Sequence, residues 1–122
     1  MLTEIEGRDD VKVVILTGAG EKSFVAGADI SEMVNFSAAE GRAFGMRASV
    51  PFFKLQNMRQ VTIAAVNGFA LGGGCEIPWL VISVSLLKMH YSGQPECGLG
   101  IIPGFGGTQR LARLVGMGRA KE

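Results

Sequence analysis

The stretch from Val61 to Glu76 constrains the fold of this chain more than any other part of the sequence. Its apolar run, Val61–Val66, is typical of a buried β-strand and ends at the turn signal Asn67-Gly68. Three consecutive glycines, Gly72 to Gly74, follow and lead to Glu76. Glycine has no Cβ, so a ligand atom can approach the backbone closely there. If a helix begins at these glycines, its first N–H groups can bind an oxyanion beside the Glu76 carboxylate. Taken alone, the pattern is more typical of a tight strand-to-helix turn with a solvated glutamate.

Two other stretches carry residues of the same kind. The segment Ser23-Phe24-Val25-Ala26-Gly27-Ala28-Asp29-Ile30 comes after a second apolar run, Val11–Leu16. The segment Gly93-Gln94-Pro95-Glu96 supplies a second carboxylate. Taken by itself, Glu96 is better explained as a surface glutamate, so the three stretches have to be considered together.

Four motifs, taken together and in this order, resemble those of the crotonase (enoyl-CoA hydratase) family. They are Phe-Val-Ala-Gly-Ala-Asp-Ile at 24–30, Asn-Gly-Phe-Ala-Leu-Gly-Gly-Gly-Cys-Glu at 67–76, Gly-Gln-Pro-Glu at 93–96 and Pro-Gly-Phe-Gly-Gly-Thr-Gln-Arg-Leu at 103–111. The resemblance implies an α/β fold of the crotonase type, built from repeated β-β-α units. Family members are longer, so residues 1–122 are expected to be a partial crotonase domain, incomplete at both ends. The N-terminal β-hairpin and helix and the C-terminal helical region would be missing.

The same resemblance implies the residues of an active site. Glu76 and Glu96 match the family's two catalytic glutamates, one acting as general base on water and the other handling the proton at the α-carbon; which does which is left open. The backbone N–H groups of Ala28 and Gly73 match the oxyanion hole. The remaining positions expected to bind substrate are Ala26, Gly27, Asp29, Ile30 and Gly72. Asp29 is also well suited to a purely structural role as a cap or turn residue.

The function implied by the resemblance is that of an enoyl-CoA hydratase. Such an enzyme adds water reversibly to a short-chain trans-2-enoyl-CoA and gives a 3-hydroxyacyl-CoA. The alternatives are an enoyl-CoA isomerase on the same fold and an inactive, truncated piece. An acyl-CoA thioester is then the substrate, no cofactor is required, and the full-length protein is expected to form a homo-oligomer, a trimer or hexamer.

Composition agrees with a cytoplasmic enzyme that binds neither nucleic acid nor membrane. The net charge is +1, with no basic stripe and no apolar run of membrane-spanning length. Cys75 and Cys97 lack metal-type spacing, and a single histidine, His90, gives no basis for a metal site or a triad. Both cysteines are expected to remain reduced.

The block from Ile77 to Ser92 departs from the resemblance although the flanking motifs keep their spacing. Shifting the reading frame of a possible coding sequence produces a peptide similar to the family's, so a compensated frameshift is one explanation and ordinary divergence is the other. On either explanation, Pro78 should shorten any helix after Glu76. Trp79 should be exposed or poorly packed, and the residues from Val81 to Leu87 suit a strand.

The local patterns predict several other elements. The strand at Val11–Leu16 is expected to be buried on both faces and to lie parallel and adjacent to Val61–Val66. A capping box at Ser37-Ala38-Ala39-Glu40 predicts a helix start, and Pro51 is expected to break or kink that helix before a second piece from Phe52 to Met58. A helix is expected to start near Glu76. An amphipathic helix is expected from Thr108 to Val115, ended by Gly116.

Overall fold

The strands form two parallel sheets, and successive strands along the chain alternate between them. A computed structural model describes residues 1–88 and 90–122. Within these residues the first sheet has the order β1-β3-β5 and the second the order β2-β4-β6. The strands are β1 Val13–Thr17, β2 Ser23–Val25, β3 Val61–Val66, β4 Phe69–Leu71, β5 Ser83–Leu86 and β6 Tyr91–Gly93. Every pairing between neighbouring strands is parallel.

A helix follows each pair of strands, which confirms the repeated β-β-α unit. The α-helices are α1 Leu2–Glu6, α2 Ala38–Gln56, α3 Gly73–Glu76, α4 Glu96–Leu99 and α5 Gly107–Val115. Short 3-10 helices cover Ile30–Glu32, Ile77–Leu80 and Arg119–Lys121. Because each unit places one strand in each sheet, the loops that follow β2, β4 and β6 all lie at one edge of the second sheet.

Strand β1 lies next to β3 as expected, but it is not buried on both faces. Val13 pairs with Val61 and Thr17 with Ala65, so the parallel arrangement is confirmed. Ile15 is nevertheless 63% exposed, and Val13 is also exposed. The alternate residues Val14 and Leu16 pack against the core, whereas Val13 and Ile15 lie on the outer face of a strand at the end of the sheet order. The expectation of burial on both faces was therefore wrong.

The core consists of two adjoining clusters of apolar side chains. One joins the two sheets through Phe24, Ala64, Val66 and Ala70. The other joins the end of α2 to the 3-10 helix after α3 through Leu55, Met58 and Leu80. Leu16, Ile77 and Val81 contact both clusters. The core thus holds the 3-10 helix that follows α3 against both sheets.

Helix α2 is continuous through Pro51, contrary to the expected break. The predicted capping box is confirmed, since Ser37 Oγ accepts the Glu40 N–H while the Glu40 side chain accepts the Ser37 N–H. Pro51 lies inside the 19-residue helix. Burial of Leu55 in the second cluster fixes the last turn against the core, and this packing outweighs the local cost of proline, about 3 kcal/mol in a helix interior.

The divergent block forms elements close to those expected, with two differences. Helix α3 begins at Gly73, within the glycine triplet, and ends at Glu76, so it starts three residues before the start expected near Glu76. A 3-10 helix with Pro78 in its first turn follows, where proline's missing N–H is tolerated. Strand β5 confirms the expected strand. Trp79 is half-buried rather than exposed, because its ring packs beside Gly107.

Helix α5 confirms the expected amphipathic helix. It begins one residue earlier than expected, at Gly107, and ends before Gly116, whose φ of 82° suits glycine.

Candidate active site

The three motifs that carry the candidate residues follow neighbouring strands of the second sheet. Strand β4 lies between β2 and β6, and both pairings are parallel. The segment 26–30 follows β2, Gly72 follows β4, and Glu96 comes three residues after the end of β6. Because parallel strands end at the same edge, the fold brings these segments together.

Gly72 is the point at which the Glu96 carboxyl group meets the main chain of α3. Its φ of 56° and ψ of −128° are rarely adopted by other residues. A Cβ on Gly72 would lie only 2.7 Å from Oε1 of Glu96. The Gly72 N–H donates to the Gly93 carbonyl oxygen at 3.0 Å, which joins the start of α3 to the Glu96 motif. Glycine is therefore required here both for its dihedral angles and for the close approach of the carboxylate.

Gly73 is the first residue of α3, so its N–H has no acceptor within its own helix. The next residue, Gly74, packs against β2, since a Cβ on it would lie 2.7 Å from the carbonyl carbon of Val25. The N-terminus of α3 is thus held beside the end of β2, three residues before Ala28. This is the arrangement from which two backbone donors can serve one oxygen.

The segment of Ala26, Gly27, Ala28, Asp29 and Ile30 is exposed after β2. Gly27 has a φ of 106°, and a Cβ on it would lie 3.5 Å from the Leu71 carbonyl oxygen, so the segment begins against β4. Asp29 accepts the Ser31 N–H at 2.9 Å and caps the 3-10 helix. The Ser31 hydroxyl and amide hold the pKa of Asp29 below its ordinary value. These bonds give Asp29 a structural role.

Glu76 is fully buried, and main-chain donors hold both of its carboxylate oxygens. The Phe105 N–H donates to Oε2 at 3.2 Å, and the Gly107 N–H donates to Oε1. Burial raises the pKa of Glu76 above its ordinary value, and the negative charge of Glu96 raises it further. The two N–H donors and the Arg110 charge oppose this shift without cancelling it. The carboxyl group therefore keeps a proton to a higher pH than an exposed glutamate does.

Glu96 has a different environment, although it lies near Glu76. It is half-buried, and among the described residues no group hydrogen-bonds to its Oε2, which is shielded from solvent. Shielded polar atoms are normally paired, so this oxygen, beside the N-terminus of α3, suits a hydrogen bond from a bound water molecule or substrate. The two carboxyl groups thus differ in burial and in hydrogen-bond partners.

The loop before α5 supplies parts of the site that the sequence reasoning missed. The Phe105 ring covers Gly73, where a Cβ would lie 2.8 Å from a ring carbon. It stacks on Phe52 of α2 with ring centroids 4.5 Å apart. Adjacent glycines at 106 and 107 in the fourth motif were the available signal, because they permit close approach of the backbone to Glu76.

Neither a metal cluster nor a membrane-crossing helix is found in the described part of the chain. Across residues 1–88 and 90–122, no three His, Cys, Asp or Glu side chains are grouped as metal ligands. No helix in those ranges has both the length and the apolar character needed to cross a bilayer.

The fold and site together define a class: an α/β domain of β-β-α units with two carboxylates beside a glycine-rich helix N-terminus. Comparison with known proteins agrees with this class, because the family described as enoyl-CoA hydratase/isomerase matches residues 1–122. The chain belongs to the enoyl-CoA hydratase/isomerase family.

Individual relatives are similar over essentially the whole of this chain. A short-chain-enoyl-CoA hydratase of Clostridium acetobutylicum is 58% identical over 123 aligned residues, covering 100% of this chain and 47% of the relative. A crotonyl-CoA hydratase of Syntrophomonas wolfei is 53% identical, covering 99% of this chain and 46% of the relative. The crystal structure of an enoyl-CoA hydratase from Bacillus anthracis superposes with a TM-score of 0.92 at 43% identity, covering 98% of this chain and 46% of that one. The chain thus spans about half the length of these relatives.

Proposed function

We propose that the protein carrying this chain is a short-chain enoyl-CoA hydratase, a lyase that adds water to a trans-2-enoyl-CoA and forms a 3-hydroxyacyl-CoA. The observation that carries the proposal is the placement of two unlike carboxyl groups, Glu76 and Glu96, beside the N-terminus of α3. Two relatives similar to the chain are named for hydration of short-chain or crotonyl thioesters. Their names support a short acyl chain in the proposed substrate.

The oxyanion hole is assigned to the N–H groups of Ala28 and Gly73. When water adds to the β-carbon, electrons move from the double bond toward the thioester oxygen, which acquires enolate charge. Preorganised donors stabilise this charge, and a single donor in a comparable site is worth about 2.7–4 kcal/mol. A backbone N–H needs no particular side chain, so Ala28 contributes its amide. Gly72, Ala26, Gly27 and Ile30 would contact the substrate around this hole, with Asp29 shaping the segment.

The two glutamates would divide the proton transfers of hydration. One carboxylate removes a proton from water as its oxygen bonds to the β-carbon, and the other carboxyl group delivers a proton to the α-carbon. In the reverse direction both transfers run backward and water leaves. These transfers need only the chain's own side chains, so we expect no cofactor, with acyl-CoA as the substrate.

We further propose that the full-length protein is a cytoplasmic homo-oligomer, a trimer or hexamer. Support comes from the outer face of the first sheet, where Val13, Ile15 and Val61 are exposed apolar residues. Such a face favours burial against other protein surface. The free cysteines, Cys75 and Cys97, are compatible with a reducing compartment.

A direct assay separates the hydratase from its alternatives. The protein carrying this chain is mixed with crotonyl-CoA, and loss of absorbance of the conjugated thioester reports hydration; a trans-3-enoyl-CoA is tested in parallel for isomerisation. We expect hydration to be the faster reaction. Isomerisation without hydration would identify an isomerase instead. Absence of both reactions, with no acyl-CoA binding in calorimetry, would mean that the protein is inactive.

A further inference from the structure

Arg110 joins three parts of the structure that surround Glu76. Its side chain extends from the first turn of α5, where Nη1 donates to the Phe105 carbonyl oxygen. On its other side, Nη2 and Nε donate to Oε1 of Gln56, at 3.0 and 3.3 Å. Gln56 is the last residue of α2. One guanidinium group therefore links α5, the loop before it and the end of α2.

Phe105, which Arg110 holds by its carbonyl oxygen, contacts both halves of the candidate site. Its N–H donates to the Glu76 carboxylate, and its ring covers Gly73. The ring is in turn stacked on Phe52, one helical turn before Gln56. Displacing Phe105 would remove a donor from Glu76 and uncover the proposed oxyanion donor at the same time.

We propose that Arg110 is a positioning residue for hydration, which orients Glu76 and the N-terminus of α3 through Phe105 without touching the substrate. This inference rests on the proposed function, since it requires that Glu76 take part in hydration. Arginine suits the role because its planar fork binds the Phe105 carbonyl and the Gln56 amide oxygen together. Lysine carries the same charge without that fork.

The charges around Glu76 give the proposal a signature in the pH dependence. In the described residues, Glu96 on α4 and Arg110 on α5 are the charged groups that act on Glu76, and burial raises the pKa of the neighbouring Cys75 thiol on α3. Only Arg110 is positive, and it opposes the rise in pKa that burial and Glu96 cause. Removing it should raise the pKa of Glu76 further. In a plot of rate against pH, the limb that reflects the pKa of Glu76 should then move to higher pH. The direction is the same whether Glu76 acts as the acid or as the base.

The experiment compares Arg110→Gln with Arg113→Gln in the whole protein. Arg113 lies one turn further along α5 and is exposed, so its removal is a control for the same loss of charge from the same helix. We expect Arg110→Gln to lower kcat for crotonyl-CoA about 10- to 100-fold, because Glu76 is then misplaced. Loss of the positive charge should also move the limb of the pH–rate profile that Glu76 controls to higher pH. Arg113→Gln should leave both unchanged. Identical behaviour of the two variants would overturn the inference.

Two further variants distinguish the paired hydrogen bonds of the guanidinium group from its charge, and they test the role in a protein that remains folded. Arg110→Lys should lower kcat while shifting the pH limb less than Arg110→Gln. Gln56→Leu alters an exposed helix end and should lower kcat in a protein whose circular dichroism is unchanged. Wild-type kcat in both of these variants would also overturn the inference.

Glu76→Gln, measured in the same series, distinguishes failure of this inference from failure of the proposed function. If Glu76→Gln retains full hydration, the proposed mechanism is wrong and the positioning role falls with it. If Glu76→Gln is inactive while Arg110→Gln matches Arg113→Gln, only the role of Arg110 is wrong.

Discussion

At the scale of single residues, the environment of the Glu76 carboxylate depends on glycine at position 107. The Gly107 N–H donates to Oε1, and a Cβ at this position would lie 2.6 Å from that oxygen and 3.1 Å from the Trp79 ring. Neither neighbour can easily move, because Glu76 is fully buried and Trp79 is half-buried. The close approach that this hydrogen bond involves therefore requires the residue without a side chain.

We expect Gly107→Ala to damage activity and stability together. The added methyl group must displace Glu76 or the loop, which should lower kcat about 10- to 100-fold. Overpacking of this kind should lower the free energy of unfolding by about 1–3 kcal/mol. Crotonyl-CoA turnover and urea unfolding measure the two effects. The matched control is Gly104→Ala in the same loop, where a Cβ would meet nothing within 4 Å. Equal effects from both substitutions would contradict the explanation.

At the scale of secondary-structure elements, helix α2 shows which features local sequence signals can predict and which depend on tertiary packing. Its start was predictable because the capping box is a contact between residues three apart, Ser37 and Glu40. Its continuity through Pro51 was not predictable, because it depends on Leu55 packing against Leu80 of a distant segment. The exposed face of β1 is a similar case, since an apolar run does not reveal which strand lies at the end of the sheet order.

We expect Pro51→Ala to stabilise α2. Alanine restores the N–H that proline lacks and relieves its clash with the carbonyl four residues earlier, so the free energy of unfolding should rise by up to about 3 kcal/mol. Denaturant unfolding of the whole protein measures it. Val50→Ala, at the exposed neighbouring position of the same helix, controls for a general gain in helix propensity. If Pro51→Ala gains no more than Val50→Ala, the proline costs this helix nothing.

At the scale of the whole molecule, the candidate site exists only because separate β-β-α units end at one edge of a sheet. The motifs indicate the residues of the candidate site, and the parallel pairing of β2, β4 and β6 explains how the segments that carry them come together. Strands β2, β4 and β6 have only three residues each, too few for a strand pattern to be recognised in the sequence. The donors to Glu76 escaped it too, because main-chain N–H groups leave no signature in residue type. Arg110 stood in the fourth motif without a role of its own, because its partners, Phe105 and Gln56, are set by the tertiary structure.

The central claim is that Glu76 and Glu96 together carry the hydration of the double bond. Turnover of crotonyl-CoA by Glu76→Gln and Glu96→Gln tests it most directly, with Glu32→Gln, an exposed carboxylate outside the site, as the control. We expect each of the first two variants to lose about 10²–10⁴-fold in kcat, the usual contribution of a general acid or base, and the control to lose nothing. Near-normal turnover in either Glu76→Gln or Glu96→Gln would contradict the account.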